Sequence, residues 1–231
     1  MLAIIPAKKR SKRLPNKNIK LLLGKPLIAY TIETAIKSKQ ITRVIVSTDC
    51  QKIANISKKY GAEAPFLRPK EQFTDRSGKF EICKHVINFL AQKEGIKISS
   101  FIYLQPTSPL RLIKDIDDAI KIFRKKKADS VVSFCKEKPP YWYHSLRKDG
   151  SFYTKLKKIN KNALRNINNY LLNGCIYVIK TSFMYKNKRD FISKGIASNK
   201  RSFSYIMPKK RSVDIDDIND FENVRYLISK Q

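Results

Sequence analysis

Short apolar runs alternate with longer segments of helical spacing along most of this chain. The apolar runs, rich in β-branched and aromatic residues and bounded by polar or turn-forming residues, predict strands at 2–6, 43–47, 101–104, 130–134, 175–179 and 203–207. Apolar residues that recur every three or four positions predict helices at 26–38, 51–60, 80–94, 115–126 and 218–229. This alternation predicts an α/β fold: a Rossmann-like, mostly parallel sheet with helices on both faces.

The alternation stops between residues 136 and 172. This segment contains the run Pro-Pro-Tyr-Trp-Tyr at 139–143, followed by many lysines and asparagines. We interpret the chain as one domain, 1–231, with 136–172 as a small arm that protrudes from the sheet. Its aromatic residues suit a subunit interface, although an ordinary long loop fits the same composition equally well.

Length and hydropathy restrict the class of protein. The 231 residues are enough for one domain with its own apolar core. No run approaches the roughly 20 apolar residues of a membrane-spanning helix. Apolar residues precede the basic residues 8–10, the reverse of a secretory signal, so we expect a cytoplasmic protein. The four cysteines are too far apart for a zinc motif and predict reduced thiols.

The charge is extreme, with 49 basic against 19 acidic residues and a formal net charge of +30. Such a charge favours anionic partners: nucleic acids, anionic lipids or phosphorylated small molecules. However, 36 of the basic residues are lysines scattered along nearly every segment, as biased genomic composition would produce. A basic nucleic-acid-binding protein is therefore an alternative of a different class, and it predicts salt-sensitive binding without catalysis.

The densest basic cluster follows the first predicted strand. Residues 7–20 contain seven basic side chains and no acidic one. Ligands of open α/β sheets bind at the carboxyl ends of strands, where this loop begins. Ammonium and backbone N–H groups there would match the charge of a nucleoside triphosphate. Neither GxxxxGK[ST] nor GxGxxG occurs, which disfavours P-loop and dinucleotide-binding enzymes.

Two segments of the chain share the sequence Asp-Ile-Asp-Asp, one at 115–118 and one at 214–217. In an extended backbone Asp214 and Asp216 face the same way and can converge on one magnesium ion. The first segment lies at a helix start, where acidic residues satisfy free backbone N–H groups. Asp217 can cap the last helix in the same manner. Spacing alone therefore leaves Asp214 and Asp216 equally consistent with a metal site and a structural role.

Two further loops follow predicted strands and carry polar side chains. Residues 47–49, Ser-Thr-Asp, can reach the same edge of the sheet. Two prolines constrain the loop 104–111, which would present Gln105 and, as a carboxylate partner, Arg111. Only two histidines are present, so a catalytic Ser-His-Asp triad is not expected.

Taken together, these segments resemble the acylneuraminate cytidylyltransferases, also called CMP-sialic acid synthetases. The matching motifs occur in the family's order and cover nearly the whole chain. They are IIPA at 4–7, SKRLPNKN at 11–18, VSTD at 46–49, RP at 68–69, LQPTSPLR at 104–111, NGCIY at 173–177 and SVDID at 212–216. The resemblance is weakest at 136–172, where the family has its dimerisation arm.

The resemblance implies a cytoplasmic, homodimeric enzyme of surface glycan biosynthesis. It would join CMP from CTP to a nonulosonic acid, an acidic nine-carbon sugar of sialic, legionaminic or pseudaminic type, and release pyrophosphate with the help of Mg²⁺. A nucleic-acid partner and a membrane span are not expected. The nearest enzyme alternative is a cytidylyltransferase of the CMP-Kdo type. A third class is an inactive relative that only dimerises.

The resemblance also implies roles for individual residues. Lys17 and Asp216 would be catalytic, and Asp214 and Asp216 would bind the metal. The implied nucleotide-binding residues are Lys8, Ser11, Lys12, Lys17, Asn18 and Ser77. The implied sugar-binding residues are Gln105, Arg111 and Arg165.

The chain departs from the family pattern at several positions. Lys8 stands where the family usually has arginine, which keeps the charge and loses the bidentate fork. Arg13 replaces a small residue, and the stretch 75–79, ending in Lys79, replaces a more serine-rich one. Residues 171–172 are leucines where arginine and proline are common. These departures bear on the choice of sugar more than on the reaction.

Overall fold

The computed structural model describes residues 1–69, 78–137, 145–146, 152–153 and 169–230. The strands are, in chain order, β1 (Leu2–Ala7), β2 (Leu21–Leu22), β3 (Lys25–Pro26), β4 (Arg43–Thr48), β5 (Ser100–Leu104), β6 (Ser130–Lys136), β7 (Ser145–Leu146), β8 (Phe152–Tyr153), β9 (Tyr170–Lys180) and β10 (Ser202–Met207). The α-helices are α1 (Leu27–Lys37), α2 (Gln51–Lys59), α3 (Lys79–Glu94), α4 (Ile113–Lys125), α5 (Thr181–Lys186), α6 (Lys188–Lys194) and α7 (Ile218–Ser229).

One sheet of six strands, in the order β10-β6-β9-β5-β1-β4, organises these elements. Every strand in it is parallel to the others except β9, which is antiparallel to both of its neighbours. This arrangement confirms the predicted mostly parallel α/β fold. It also brings the start of β9 to the same edge as the carboxyl ends of β1, β4, β5, β6 and β10.

Helices cover both faces of the sheet, as the apolar pattern predicts. On one face, Ile5 of β1 belongs to a buried cluster with Ile32 of α1 and Ile120 of α4. On the other face, Ile4 belongs to a second cluster with Val86 of α3. Neighbouring residues of one strand thus point to opposite faces, and both faces are apolar because both are covered.

A third, smaller apolar cluster lies outside the two main layers. It joins buried residues of loops to those of α1 and α7, and its members are Leu14, Leu22, Leu27, Leu110, Ile215, Phe221 and Val224. Three of these belong to polar or charged loops that would otherwise be held only by the strands they follow. Burial of each such side chain contributes about 1.5–3 kcal/mol, so this cluster fixes those loops at the carboxyl edge of the sheet.

The bounds of the predicted arm need a correction. Residue 136 is the last residue of β6, and β9 begins at Tyr170, five residues before the predicted strand. Lys136 pairs with Tyr170, so both ends of the 136–172 segment belong to the sheet. Between residues 137 and 169, the structure describes only β7 and β8, which pair as a two-stranded antiparallel ladder. The other residues between 137 and 169 lie outside the described part of the chain.

Two short helices, α5 and α6, were not predicted from the sequence. They follow β9 directly and pack Phe183 and Phe191 into the second apolar cluster. Among the described residues, the structure has no helix long and apolar enough to cross a membrane.

Candidate active site

The polar loops predicted to carry chemistry meet at the carboxyl edge of the sheet. The basic loop 8–20 follows β1, the loop 105–112 follows β5, and the acidic segment 212–217 comes after β10. The backbone N–H of Ile215 donates to the Thr107 carbonyl at 2.9 Å, which joins the acidic segment to the loop after β5. These loops and the beginning of β9 form a crevice of the kind in which open α/β sheets bind their ligands.

Hydrogen bonds and the backbone conformation of Asn16 fix the shape of the basic loop. Asn18 is buried and donates from Nδ2 to the Lys8 carbonyl at 2.9 Å. Asn16 adopts a left-handed conformation with φ 54°, which asparagine tolerates better than most residues. The backbone N–H of Lys9 donates to Asp49 Oδ1 at 2.8 Å, so the loop is also anchored to the end of β4. The Asn18 amide predicted to hold the nucleotide is therefore part of the loop's internal support.

Lys17 lies where the basic loop meets the acidic segment. Its ammonium donates to the Ile215 carbonyl at 2.5 Å and lies 3.5 Å from Asp216 Oδ1. Its side chain is 13% exposed, whereas Lys8 and Lys12 of the same loop are exposed. Lys17 is thus a fixed cation inside the crevice.

Asp214 is the most deeply placed carboxylate of the crevice. Its Oδ1 is buried and has no hydrogen-bond partner among the described residues. Burial raises the pKa of Asp214, and hydrogen bonding by Thr107 partly opposes the rise. A buried carboxylate oxygen without a donor is costly, so such a position suits a residue that binds a cation.

Asp216 lies nearer to solvent, with a side chain 43% exposed. Arg13 Nη2 lies 2.7 Å from its Oδ1, and Lys17 approaches the same oxygen. Between Asp214 and Asp216, the side chain of Ile215 is fully buried in the third apolar cluster. This alternation agrees with the predicted arrangement, in which both carboxylates lie on the side opposite to Ile215. Two carboxylates in this arrangement can supply what Mg²⁺ takes from proteins at nucleotide sites.

Gly174 lets the start of β9 approach Gln105 closely. It has φ +75°, and a Cβ atom there would lie 2.4 Å from Gln105 Oε1 and 3.8 Å from Asp214 Oδ2. Gln105 Oε1 is buried and unpartnered within the described part of the chain. Gly174 is therefore the position at which Gln105 and Asp214 come together, and any side chain there would displace Gln105.

Arg111 lies behind the crevice rather than in it. Its guanidinium is buried and donates to the Cys175 carbonyl at 2.7 Å, to Thr31 Oγ1 at 2.9 Å and to the Gln105 carbonyl at 3.3 Å. Burial lowers the pKa of Arg111 to about 10. These contacts do not fit the predicted role as a partner of a substrate carboxylate. They give Arg111 a positioning role instead, because it holds the backbone of Gln105 against β9.

The face of the crevice near α3 carries two further cations. Arg68 is buried, with Nη2 3.9 Å from Asp49 Oδ1. Lys79, the first residue of α3, is half-buried and donates to the Tyr177 hydroxyl at 3.0 Å. The motif at 68–69 and the departure at 79 point to these positions in the sequence, but nothing in the sequence indicates that Lys79 meets Tyr177.

The structure thus brings Lys17, Gln105, Asp214 and Asp216 together, with Lys8, Ser11 and Lys12 on the adjoining loop. Ser77 and Arg165 lie outside the described residues, so their predicted roles remain predictions. Gly174 and Lys79, which were not among the predicted site residues, also line the crevice, together with Thr107, which the sequence indicated as a polar contact of the 104–111 loop.

Comparison with known sequences identifies relatives over the whole chain. The family model described as cytidylyltransferase matches residues 2–230. The chain is 37% identical to an N-acylneuraminate cytidylyltransferase of Escherichia coli O18:K1:H7, over 96% of this chain and 50% of that protein. It is 38% identical to a CMP-N,N'-diacetyllegionaminic acid synthase of Legionella pneumophila, over 81% of each chain. A pseudaminic acid cytidylyltransferase of Campylobacter jejuni is 31% identical over 98% and 95% of the two chains. The chain therefore spans about half the length of the E. coli relative.

Comparison with solved structures supports the fold. A CMP:2-keto-3-deoxy-manno-octonic acid synthetase complexed with CTP superposes with a TM-score of 0.70, covering 99% of this chain and 98% of the other. The two sequences are 18% identical, so this likeness concerns the fold alone.

Proposed function

This chain belongs to the cytidylyltransferase family, and from that premise we propose that it transfers CMP from CTP to a nonulosonic acid and releases pyrophosphate. The observation that carries the proposal is the meeting of Lys17, Asp214 and Asp216 in one crevice, beside Gln105. That crevice combines a cluster of cations for a triphosphate with an acidic pair for a divalent cation. Phosphoryl-transfer enzymes commonly use both features, cationic side chains around the phosphates and a bound divalent cation.

The protein's part in this reaction is positioning and charge stabilisation. The oxygen of the sugar hydroxyl attacks the α-phosphorus of CTP, and the hydroxyl proton passes to solvent. The bond between the α-phosphorus and the bridging oxygen breaks, and pyrophosphate leaves. Lys17 is fixed by the Ile215 carbonyl, so its charge is already in place when negative charge develops on the phosphates. Lys8 and Lys12 on the exposed side of the loop attract the triphosphate. Gln105 orients the sugar next to the reacting phosphorus.

We propose Mg²⁺ as the cofactor, held by Asp214 and Asp216. The unpartnered, buried Oδ1 of Asp214 fits a hard cation, which prefers carboxylate oxygen. Mg²⁺ bound there would neutralise charge on the phosphates and the leaving pyrophosphate. Arg13 and Lys17 balance the negative charge of Asp216 before the nucleotide binds.

The substrate class rests on the relatives. The three relatives described above, which are named for N-acylneuraminate, diacetyllegionaminic acid and pseudaminic acid, are 31–38% identical to this chain. Their common substrate chemistry is an acidic nine-carbon 2-keto sugar, so we assign this class and leave its stereochemistry to experiment. We further propose that the enzyme is a cytoplasmic homodimer and that the 136–172 segment contributes to its interface.

The experiment is a pyrophosphate-release assay with CTP and MgCl₂ across a panel of sialic, legionaminic and pseudaminic acids, with Kdo included. We expect release with one nonulosonic acid and little with Kdo. Addition of EDTA should abolish the release, and replacement of CTP by ATP should reduce it strongly. Release with Kdo alone would support the CMP-Kdo type of enzyme instead.

Folded protein that releases no pyrophosphate with any acid would contradict the proposal. Salt-sensitive binding of RNA or DNA by the same preparation would then favour the nucleic-acid-binding alternative. Circular dichroism of the sample before the assay shows whether the protein is folded.

A further inference from the structure

One cation of the crevice has no role in the chemistry proposed above. Lys79 is the first residue of α3, and its ammonium donates to the Tyr177 hydroxyl at 3.0 Å and lies 4.1 Å from the centre of that ring. No carboxylate among the described residues forms an ion pair with it. An ammonium group has three donors, and among the residues that the structure describes only the Tyr177 hydroxyl accepts from one of them.

The position is unfavourable for a cation in the free protein. Lys79 lies at the amino end of a 16-residue helix, where the helix dipole is positive and anions are preferred. Burial lowers the pKa of Lys79, with smaller opposing contributions from Cys83 and Asp214. Within the described part of the chain, this half-buried ammonium at the positive end of a helix thus has no anionic group in direct contact.

The surroundings indicate which anion would bind. Tyr177 lies three residues after Gly174 on β9, and Gly174 meets Gln105, the residue that we assign to the sugar. Lys17 of the basic loop approaches Asp216, whereas Lys79 donates to Tyr177 of β9. The charge of Asp214 acts on Lys79, and Asp214 lies beside Gly174 and Gln105. The Lys79 ammonium is therefore on the side of the crevice that we assign to the sugar.

We propose that the Lys79 ammonium and the Tyr177 hydroxyl form a subsite that binds the carboxylate of the sugar acid. The hydroxyl accepts a hydrogen bond from Lys79, so its own proton is available for a carboxylate oxygen. Burial raises the pKa of Tyr177, which keeps that proton in place. The pair offers an ammonium and a hydroxyl donor to one carboxylate, and charge-assisted hydrogen bonds of this kind are strong.

This inference rests on the proposed function, and a labelling experiment tests it without catalysis. The wild-type protein is acylated briefly with an amine-reactive ester in the presence of CTP and EDTA, and the modification of each lysine is measured by mass spectrometry. We expect the sugar acid to lower the labelling of Lys79 by about tenfold, as a charge-assisted contact would. The methyl ester of the same sugar, which lacks the charge, should protect far less. Lys93, exposed in the last turn of α3, is the internal control.

The outcomes separate the subsite from the reaction. Protection by the acid without pyrophosphate release would support the subsite and contradict the proposed reaction. Release without protection would overturn the subsite alone. Equal protection by CTP with and without the acid would assign Lys79 to a phosphate and also overturn the proposal.

A pair of variants tests the same point by kinetics. Lys79→Met keeps most of the length of the side chain and removes the charge, so we expect the KM for the acid to rise about tenfold, with the KM for CTP within about twofold of wild type. Lys84→Met, one turn further along α3, should change neither KM. Thermal unfolding and CTP binding establish that each variant is folded. An unchanged KM for the acid, or an equal rise in both KM values, would overturn the proposal.

Discussion

The two Asp-Ile-Asp-Asp segments have the same sequence and opposite surroundings. Asp115, in the first, is fully buried, and both of its oxygens are occupied: Oδ1 by Tyr205 and Arg211, Oδ2 by Arg211 and the Leu112 N–H. Asp214, in the second, is also inside the molecule, but its Oδ1 has no partner among the described residues.

These surroundings lead us to expect a structural role for Asp115 and a metal-binding role for Asp214. The partners of Asp115 come from β10, the segment after it and the start of α4, so this carboxylate joins three parts of the chain. The partners of Asp214 and Asp216 are the basic loop and Thr107. Those residues surround a crevice, where a cation and an anionic ligand can complete the set.

The largest effect on catalysis is expected when the unpartnered carboxylate of Asp214 is replaced. In Asp214→Asn, we expect kcat for pyrophosphate release to fall about a thousandfold, the scale of losing one preorganised charge-stabilising group. The free energy of unfolding should stay equal or rise by up to about 1 kcal/mol, because a poorly compensated buried carboxylate is removed. Steady-state kinetics and urea unfolding measure the two quantities. A stability loss with normal kcat would make Asp214 structural.

The matching change in the first segment should lower the stability of the protein and leave kcat unchanged. Asp115→Ala removes the partner of Arg211 and of Tyr205, and breaking such a buried pair costs about 3 kcal/mol. We expect urea unfolding to show this loss, while kcat per folded molecule stays near that of wild type at a temperature where the variant is folded. A large fall in kcat in the folded variant would contradict the division between the two segments.

A glycine pair tests the close approach of Gln105 and Asp214. Gly174→Ala places a Cβ 2.4 Å from Gln105 Oε1, and we expect kcat/KM to fall about a hundredfold, as small misplacements of reacting groups do. Gly95→Ala is the matched control: it also has positive φ, at +68°, with no atom within 4 Å of the added Cβ. The control should lose about 1 kcal/mol of stability and keep its kcat/KM. Equal kinetic losses in both would show that backbone strain, rather than Gln105, is responsible.

The smallest effect is expected at Arg13. Its ion pair with Asp216 is exposed, with side chains 67% and 43% accessible, and exposed pairs contribute about 0–1 kcal/mol. Arg13→Gln should therefore lower the Mg²⁺ concentration for half-maximal rate by no more than about fivefold. Titration of the rate with MgCl₂ measures this. A higher requirement for Mg²⁺ would mean that Arg13 supports the metal site instead of competing for Asp216.

Much of the fold could be predicted because the apolar pattern is regular. The α1, α3 and α7 boundaries agree with the sequence to within one residue at either end. The direction of β9 could not be predicted, because a run such as Ile-Tyr-Val-Ile is buried on both faces in either direction. Its first residues were missed because Tyr170 and Leu171 are about half exposed. The short helices α5 and α6 were missed because so few turns give little periodicity.

The sequence named several residues that meet at the crevice, and their chemical roles remain predictions. The acidic pair, Lys17 and Gln105 are brought together as the motifs indicated. An arginine in a polar loop is typical of a ligand contact, and the sequence could not indicate that the Arg111 guanidinium donates to the Cys175 and Gln105 carbonyls. In the sequence, Lys79 stands out only as a departure from the family pattern. Its hydrogen bond to Tyr177 depends on the approach of α3 to β9 and could not be predicted.

The assignment of the metal site is tested most directly by comparing metal binding in variants of the second and the first Asp-Ile-Asp-Asp segment. Mn²⁺ substitutes for Mg²⁺ at oxygen sites, and water proton relaxation reports how tightly the protein binds the Mn²⁺–CTP complex. The variants are Asp216→Asn and its counterpart Asp117→Asn, whose carboxylate accepts from Ser38 Oγ. We expect Asp216→Asn to weaken binding of the complex at least about tenfold, as the loss of a metal-site interaction does, and Asp117→Asn to bind like wild type. Unchanged binding in Asp216→Asn, or equal weakening in both variants, would contradict the assignment of the metal site.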